Sequence, residues 1–148
     1  GRFDEMPARF ARRRWMSETL KLAVRREHPL LRQRSLDLET FLRLRHLWVH
    51  GGQTRGMVDQ WLGEQGLSRQ ILYTTPNYLQ AAHIVAGNEL AAVLPTALAR
   101  HFATLLPLEL FDLPFALGPF HLEIVSLAQR QRDAALQWLI EEIVAVPG

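Results

Sequence analysis

The stretch "LWVHGGQTRGMVD" at residues 47–59 sets Gly51 and Gly56 at the two glycine positions of the phosphate-binding loop G-x-x-x-x-G-K-[ST]. In that loop a lysine reaches the terminal phosphates and a hydroxyl ligates magnesium. Met57 and Val58 occupy those positions here, which removes nucleotide hydrolysis. Two readings stay open. A strand that feeds glycines into a helix N-terminus offers backbone N–H groups and the positive end of a dipole to an anion, but the same pattern also describes a plain tight turn.

"HGG" is also found where esterases build an oxyanion hole, a reading that requires a G-x-S-x-G nucleophile elbow. The sequence contains none, and Ser17, Ser35, Ser68 and Ser126 read as surface or capping residues. His46 and His50 are four apart, but in a strand this is roughly 13 Å at about 3.3 Å per residue, too far for two ligands of one ion. His28, His83, His101 and His121 lack a spacing such as H-E-x-x-H and read as surface or half-buried side chains. Asp and Glu are scattered without a paired neighbourhood, so no catalytic carboxylates stand out. Cysteine is absent, which excludes disulfides, thiolate metal sites and a cysteine nucleophile.

The elements that would position these residues are readable in outline. Residues 19–25, "TLKLAVR", alternate like a strand with one buried face, and Ser35 is the expected N-cap of a short helix with Glu39 in its first turns. "HLWVH" at 46–50 is a second strand. Met57, Val58, Trp61 and Leu62 fall at helical spacing, with Gly66 placed to end that helix. Residues 69–76 form a third strand and 77–89 a helix capped by Asn77 and closed near Gly87-Asn88 by residues that tolerate a left-handed backbone. Strand 90–95, a short helix "TALARHFAT", strand candidate "LELFDLP" and strand 120–128 follow. A terminal helix sets Leu136, Leu139, Ile140 and Ile143 on one stripe. Strands separated by helices predict an α/β domain with a mainly parallel sheet.

The chain has 148 residues, 48% of them hydrophobic and 22% charged, enough for one globular domain with a real core. No apolar run approaches the ~20 residues of a membrane span, and the charged start "GRFDEMPARF" is unlike a signal peptide, so a cytoplasmic protein is expected. The opening residues read as the middle of a longer protein. The basic segment "ARFARRRW", with Phe10 and Trp15 available for stacking, could contact nucleic acid or form a solvated face, but it has no helix-turn-helix pattern.

Three segments taken in order resemble the effector-binding domain of LysR-type transcriptional regulators. They are "LKLAVRREHPL", then "HLWVHGGQTRGMVDQWLGEQGLSRQILYTTPNYLQAAHIVAGNELAAVLPTALA", then "LELFDLPFALGPFHLEIVSLAQRQRDAALQWL". The resemblance implies a periplasmic-binding-protein-like (type 2), Rossmann-like lobe plus the returning part of a second lobe. It assigns residues 1–18 to a crossover, 19–98 to the second effector-binding lobe and 99–148 to the returning part of the first. A small effector, a carboxylate or an aromatic, would occupy an interlobe cleft and modulate DNA binding by an N-terminal helix-turn-helix outside this chain.

By the same resemblance the second-lobe wall comprises His50, Gly51, Gly52, Gln53, Thr54, Asn77 and Tyr78, completed by the turn at Asn88 and Glu89. Glu89 suits a turn-stabilising role better than contact with an anion. The resemblance implies a homodimer or higher homo-oligomer, with the helix at 56–65 and the strand at 69–75 as the lobe's share of the interface. DNA would be met only through the N-terminal domain, and no catalytic residue, metal, cofactor or membrane partner is expected. The alternatives are a periplasmic-type solute-binding fragment serving transport and, third, an enzyme on the same scaffold.

Overall fold

Leu22, Ala23 and Val24 are each fully buried, so the first strand of the sequence pattern is covered on both faces rather than one. In the computed structural model, which describes residues 7–30, 36–51 and 56–146, this strand is β2 (Leu20–Arg25). It lies inside a five-stranded sheet of order β4-β3-β5-β2-β6, built with β3 (Arg45–Val49), β4 (Gln70–Thr75), β5 (Ala91–Pro95) and β6 (Leu108–Asp112). β3 runs parallel to both β4 and β5, with His46 opposite Ala91 and Leu47 opposite Ala92. β2 runs antiparallel to both its neighbours, β5 and β6. Four of the five strands therefore share one direction, and β2 alone is reversed.

Side chains that alternate along β2 enter two different cores. Ala23 packs with Leu47, Ala92 and Leu94 against Ala81, Ala82 and Val85 of α3 (Tyr78–Gly87) and Ala99 and Phe102 of α4 (Thr96–Leu105). Leu22 and Val24 point the other way, to Phe41 of α1 (Leu38–Arg43) and Val58 and Leu62 of α2 (Met57–Glu64). Burying each such Leu or Val is worth about 1.5–3 kcal/mol, which is what fixes the register of a strand covered on both sides.

The helix ends show which local signals held. Gly66 adopts φ +70°, and the N–H groups of Gly66 and Leu67 return to the carbonyls of Gly63 and Leu62, closing α2 as a glycine-terminated helix should. α3 ends differently from expectation: Asn88 is extended at φ −138°, and its side-chain amide donates to the Ile84 carbonyl at 2.8 Å. For α1, Asp37 is the N-cap, its carboxylate accepting from the Thr40 amide at 2.7 Å, while Ser35 lies outside the described residues. The capping carboxylate is held below its ordinary pKa by these bonds to Thr40.

The chain divides into two compact units, one of residues 19–118 and one formed by the segments on either side. The strand β6 and helix α4 fall in the same unit as the rest of the five-stranded sheet. In the other unit β1 (Phe10–Glu18) pairs antiparallel with β7 (Phe120–Leu127), with a register shift between Arg14 and Met16. The basic segment is therefore a strand: Arg12 on it bonds Glu123 through Nε at 2.7 Å and Nη2 at 2.5 Å. In α5 (Ala134–Ala145) Ile140 is buried but Leu139 is 48% exposed, so the expected apolar stripe is only partly covered.

Candidate functional site

Parallel strands leave their carboxyl ends at one edge of a sheet, where loops lead into helix N-termini and ligands of open α/β folds bind. At this edge β3 delivers His50 and Gly51, β4 delivers Asn77 and Tyr78, and β5 delivers Thr96. The His50 amide donates to the Thr75 carbonyl at 3.0 Å, which ties the ends of β3 and β4 together. The His50 ring stacks on Trp48, centroids 4.6 Å apart and planes 24° from parallel.

The two glycines of the opening motif differ in what they do. Gly51 is exposed, lacks a positive φ, and a Cβ there would meet nothing within 4 Å. At Gly56, the N-cap of α2, a Cβ would lie 3.2 Å from Trp48 Nε1 and 3.4 Å from an Asp59 carboxylate oxygen. A side chain there would make Trp48 or Asp59 give by a few tenths of an ångström, so the position is tightly packed. Gly52, Gln53 and Thr54 lie outside the described residues.

Asn77 caps α3: its Oδ1 accepts from the amides of Leu79 at 2.8 Å and Gln80 at 3.2 Å. Thr75 Oγ1 donates to Gln80 Oε1 at 2.8 Å and accepts from the Asn77 amide at 3.3 Å, fixing the turn between β4 and α3. Tyr78, at the first position of the helix, is 39% exposed and so is no core residue, and partial burial raises its hydroxyl pKa. The structure therefore brings His50, Gly51, Asn77 and Tyr78 to one edge.

Asn88 and Glu89 stand elsewhere, just before β5 and so at the opposite edge. Glu89 pairs there with Arg25 at 3.2 Å and Arg45 at 3.6 Å, in keeping with a turn-stabilising role. Two residues that sequence reasoning missed join the candidate edge. Thr96, 8% exposed at the start of α4, holds its hydroxyl 2.8 Å from that of Thr19, the residue before β2. Only the reversed insertion of β2 beside β5 brings them together, so no spacing in the sequence marks them.

Near the amino end of β3, opposite the start of β5, lies a buried polar group. His46 is fully buried; its Nε2–H donates to the Phe41 carbonyl at 2.9 Å, and its Nδ1 faces Arg69 Nη1 at 3.5 Å. Burial, opposed by the bond to Phe41, lowers its pKa to about 4. His28 is also buried, at 3% exposure, which corrects its reading as a surface or half-buried side chain. Among the described residues, no group of three or more His, Cys, Asp or Glu could hold a metal ion, and no helix is long and apolar enough to cross a membrane.

The family model for the LysR substrate binding domain matches residues 1–147. The chain belongs to the LysR substrate-binding family. Among curated relatives, SyrM 1, a helix-turn-helix-type transcriptional regulator of Sinorhizobium fredii, is 30% identical over 98% of this chain and 43% of its own length. Nodulation protein D 1 of the same organism is 31% identical over 72% of this chain and 34% of its own length. The LysR chain thus spans less than half the length of these relatives. A transcriptional regulator of Pseudomonas aeruginosa superposes with a TM-score of 0.86 at 26% identity, covering 97% of this chain and 47% of that one. The BenM effector binding domain, solved with its effector benzoate, matches with a TM-score of 0.72 at 18% identity over 97% of this chain and 65% of that one, a likeness of fold. The effector binding domain of QuiR in complex with shikimate matches with a TM-score of 0.77 at 13% identity over 96% of this chain and 66% of that one, again in fold. This is the periplasmic-binding-protein-like α/β fold of LysR effector domains, a family of regulators and not of enzymes.

Proposed function

We propose that this LysR effector-binding domain senses a small carboxylate, aromatic or alicyclic, in an interlobe cleft whose second-lobe wall is the carboxyl edge of β3 and β4. The observation that carries the reading is the convergence of His50, Gly51, Asn77 and Tyr78 on that edge, joined by the His50–Thr75 backbone bond. Gly52, Gln53 and Thr54 complete the proposed wall. Benzoate and shikimate, the ligands of two structural neighbours, are both small ring carboxylates. Helix N-termini at α2 and α3 favour an anion, and Tyr78 offers an aromatic face with a neutral hydroxyl.

Effector binding would shift the balance between two lobe arrangements and so change how a helix-turn-helix elsewhere in the full-length protein engages DNA. The working compartment is the cytoplasm, where such a regulator meets DNA. A homodimer or higher oligomer uses α2 and β4. In support, β4 is an edge strand that exposes Ile71, Leu72 and Tyr73 at 37%, 44% and 59%.

The test is a thermal-shift panel of aromatic, alicyclic and small aliphatic carboxylates on the full-length protein. A binder should raise the melting temperature of wild type and lose most of that effect in Thr54→Val or Gln53→Ala. If both variants respond like wild type, the site lies elsewhere.

A further inference from the structure

Arg69 has a guanidinium buried to 2% exposure in the segment just before β4, and it makes a two-pronged bond to Asp59: Nε to Oδ1 and Nη2 to Oδ2, each 2.8 Å. Its third nitrogen, Nη1, faces His46 Nδ1 on β3 at 3.5 Å. The Nε2–H of that imidazole is bonded to the Phe41 carbonyl, so its Nδ1 carries the lone pair that the arginine meets. Three elements are thereby pinned by one side chain: the first turn of α2 through Asp59, the start of β3 through His46, and the entrance of β4.

Asp59 is also the residue whose carboxylate approaches the Gly56 position, where a Cβ would also meet Trp48, the ring that stacks on His50. Helix α2 has no side-chain N-cap of its own, since Gly56 occupies that position. The ion pair of Asp59 with Arg69 is thus a side-chain tie on the first turn of α2.

We infer that Arg69 is a positioning residue: acting through Asp59 and His46, it fixes the first turn of α2 relative to β3, the helix and the strand on either side of the candidate effector loop. Its bearing on effector binding rests on the functional reading above, whereas the positioning itself does not. The planar fork matters as well as the charge, because lysine supplies one ammonium where two parallel bonds and a third contact are made.

Hydrogen–deuterium exchange on the full-length protein without added ligand tests this directly. In Arg69→Met, amides of the first two turns of α2 and of residues 48–50 should exchange about tenfold faster, with less than about a twofold change in α3 and α4. Arg69→Lys should resemble Arg69→Met, and Asp59→Asn, at the more exposed member of the pair, should give the same local pattern if Arg69→Met fails to fold. Unchanged exchange around α2 in Asp59→Asn, wild-type behaviour of Arg69→Lys, or acceleration spread evenly over the whole sheet would each overturn the inference. A local exchange effect combined with no response to any carboxylate would instead sink the effector reading and leave the positioning role standing.

Discussion

Thr19 and Thr96 face each other with their hydroxyl oxygens 2.8 Å apart, and the Thr96 amide donates to the Thr19 carbonyl at 2.9 Å. Two residues far apart in the chain thus join the start of β2 to the start of α4, at the edge where β5 ends. Thr96 is buried and Thr19 exposed, so the pair is a contact between the inside of the lobe and its rim.

Replacing Thr96 by Val keeps the volume and removes the hydroxyl. Since water can reach the Thr19 side of the pair, the cost should be ~0.5–1 kcal/mol. Urea unfolding of Thr96→Val, Thr19→Val and the double variant checks it: the double variant should lose less than the sum of the two singles.

Stability should fall with pH in a window set by His46. The unfolded imidazole titrates near 6.5 and the folded one near about 4, so between those values the unfolded chain takes up a proton that the folded chain does not. The contribution is fully present above about 6.5, is lost as pH falls, and declines no further below about 4, a change of ~3 kcal/mol. The buried His28, also shifted downward, acts in the same direction. Melting curves from pH 7.5 to 4 should show the slope, and His46→Gln should flatten it while lowering the plateau.

Asn77→Ala removes the acceptor for two amides at the start of α3 and should cost ~1 kcal/mol, or about 2–4 °C in melting temperature. Asn77→Ser, which retains a capping oxygen, should recover most of it. Equal losses in both variants would show that the side chain matters for something other than the cap.

The exposed edge at β4 gives a test of association. Charged residues at Leu72 and Tyr73, as in Leu72→Lys with Tyr73→Glu, should shift the full-length protein toward monomer in sedimentation velocity, with little change in melting temperature at low protein concentration. An unchanged oligomer would place the interface elsewhere.

The sequence by itself determined the elements of the larger unit, since local physics specifies them: helical spacing at Met57, Val58, Trp61 and Leu62, the glycine stop at Gly66, and apolar strands at 46–50 and 90–95. The wall residues His50, Gly51, Asn77 and Tyr78 were named by the family resemblance and not by spacing; the parallel run of β3 and β4 is what brings them to one edge. The order and direction of the strands were a matter of tertiary structure. β2 reads as a strand with one buried face, yet its reversed place between β5 and β6 buries both faces and carries Thr19 to Thr96. The same holds for His46 and Arg69, whose roles depend on neighbours on other elements, Phe41 and Asp59. Burial and partnership are properties of the packed chain: a side chain's periodicity is written in its neighbours along the sequence, but its desolvation and hydrogen bonds are decided by whatever the fold brings against it.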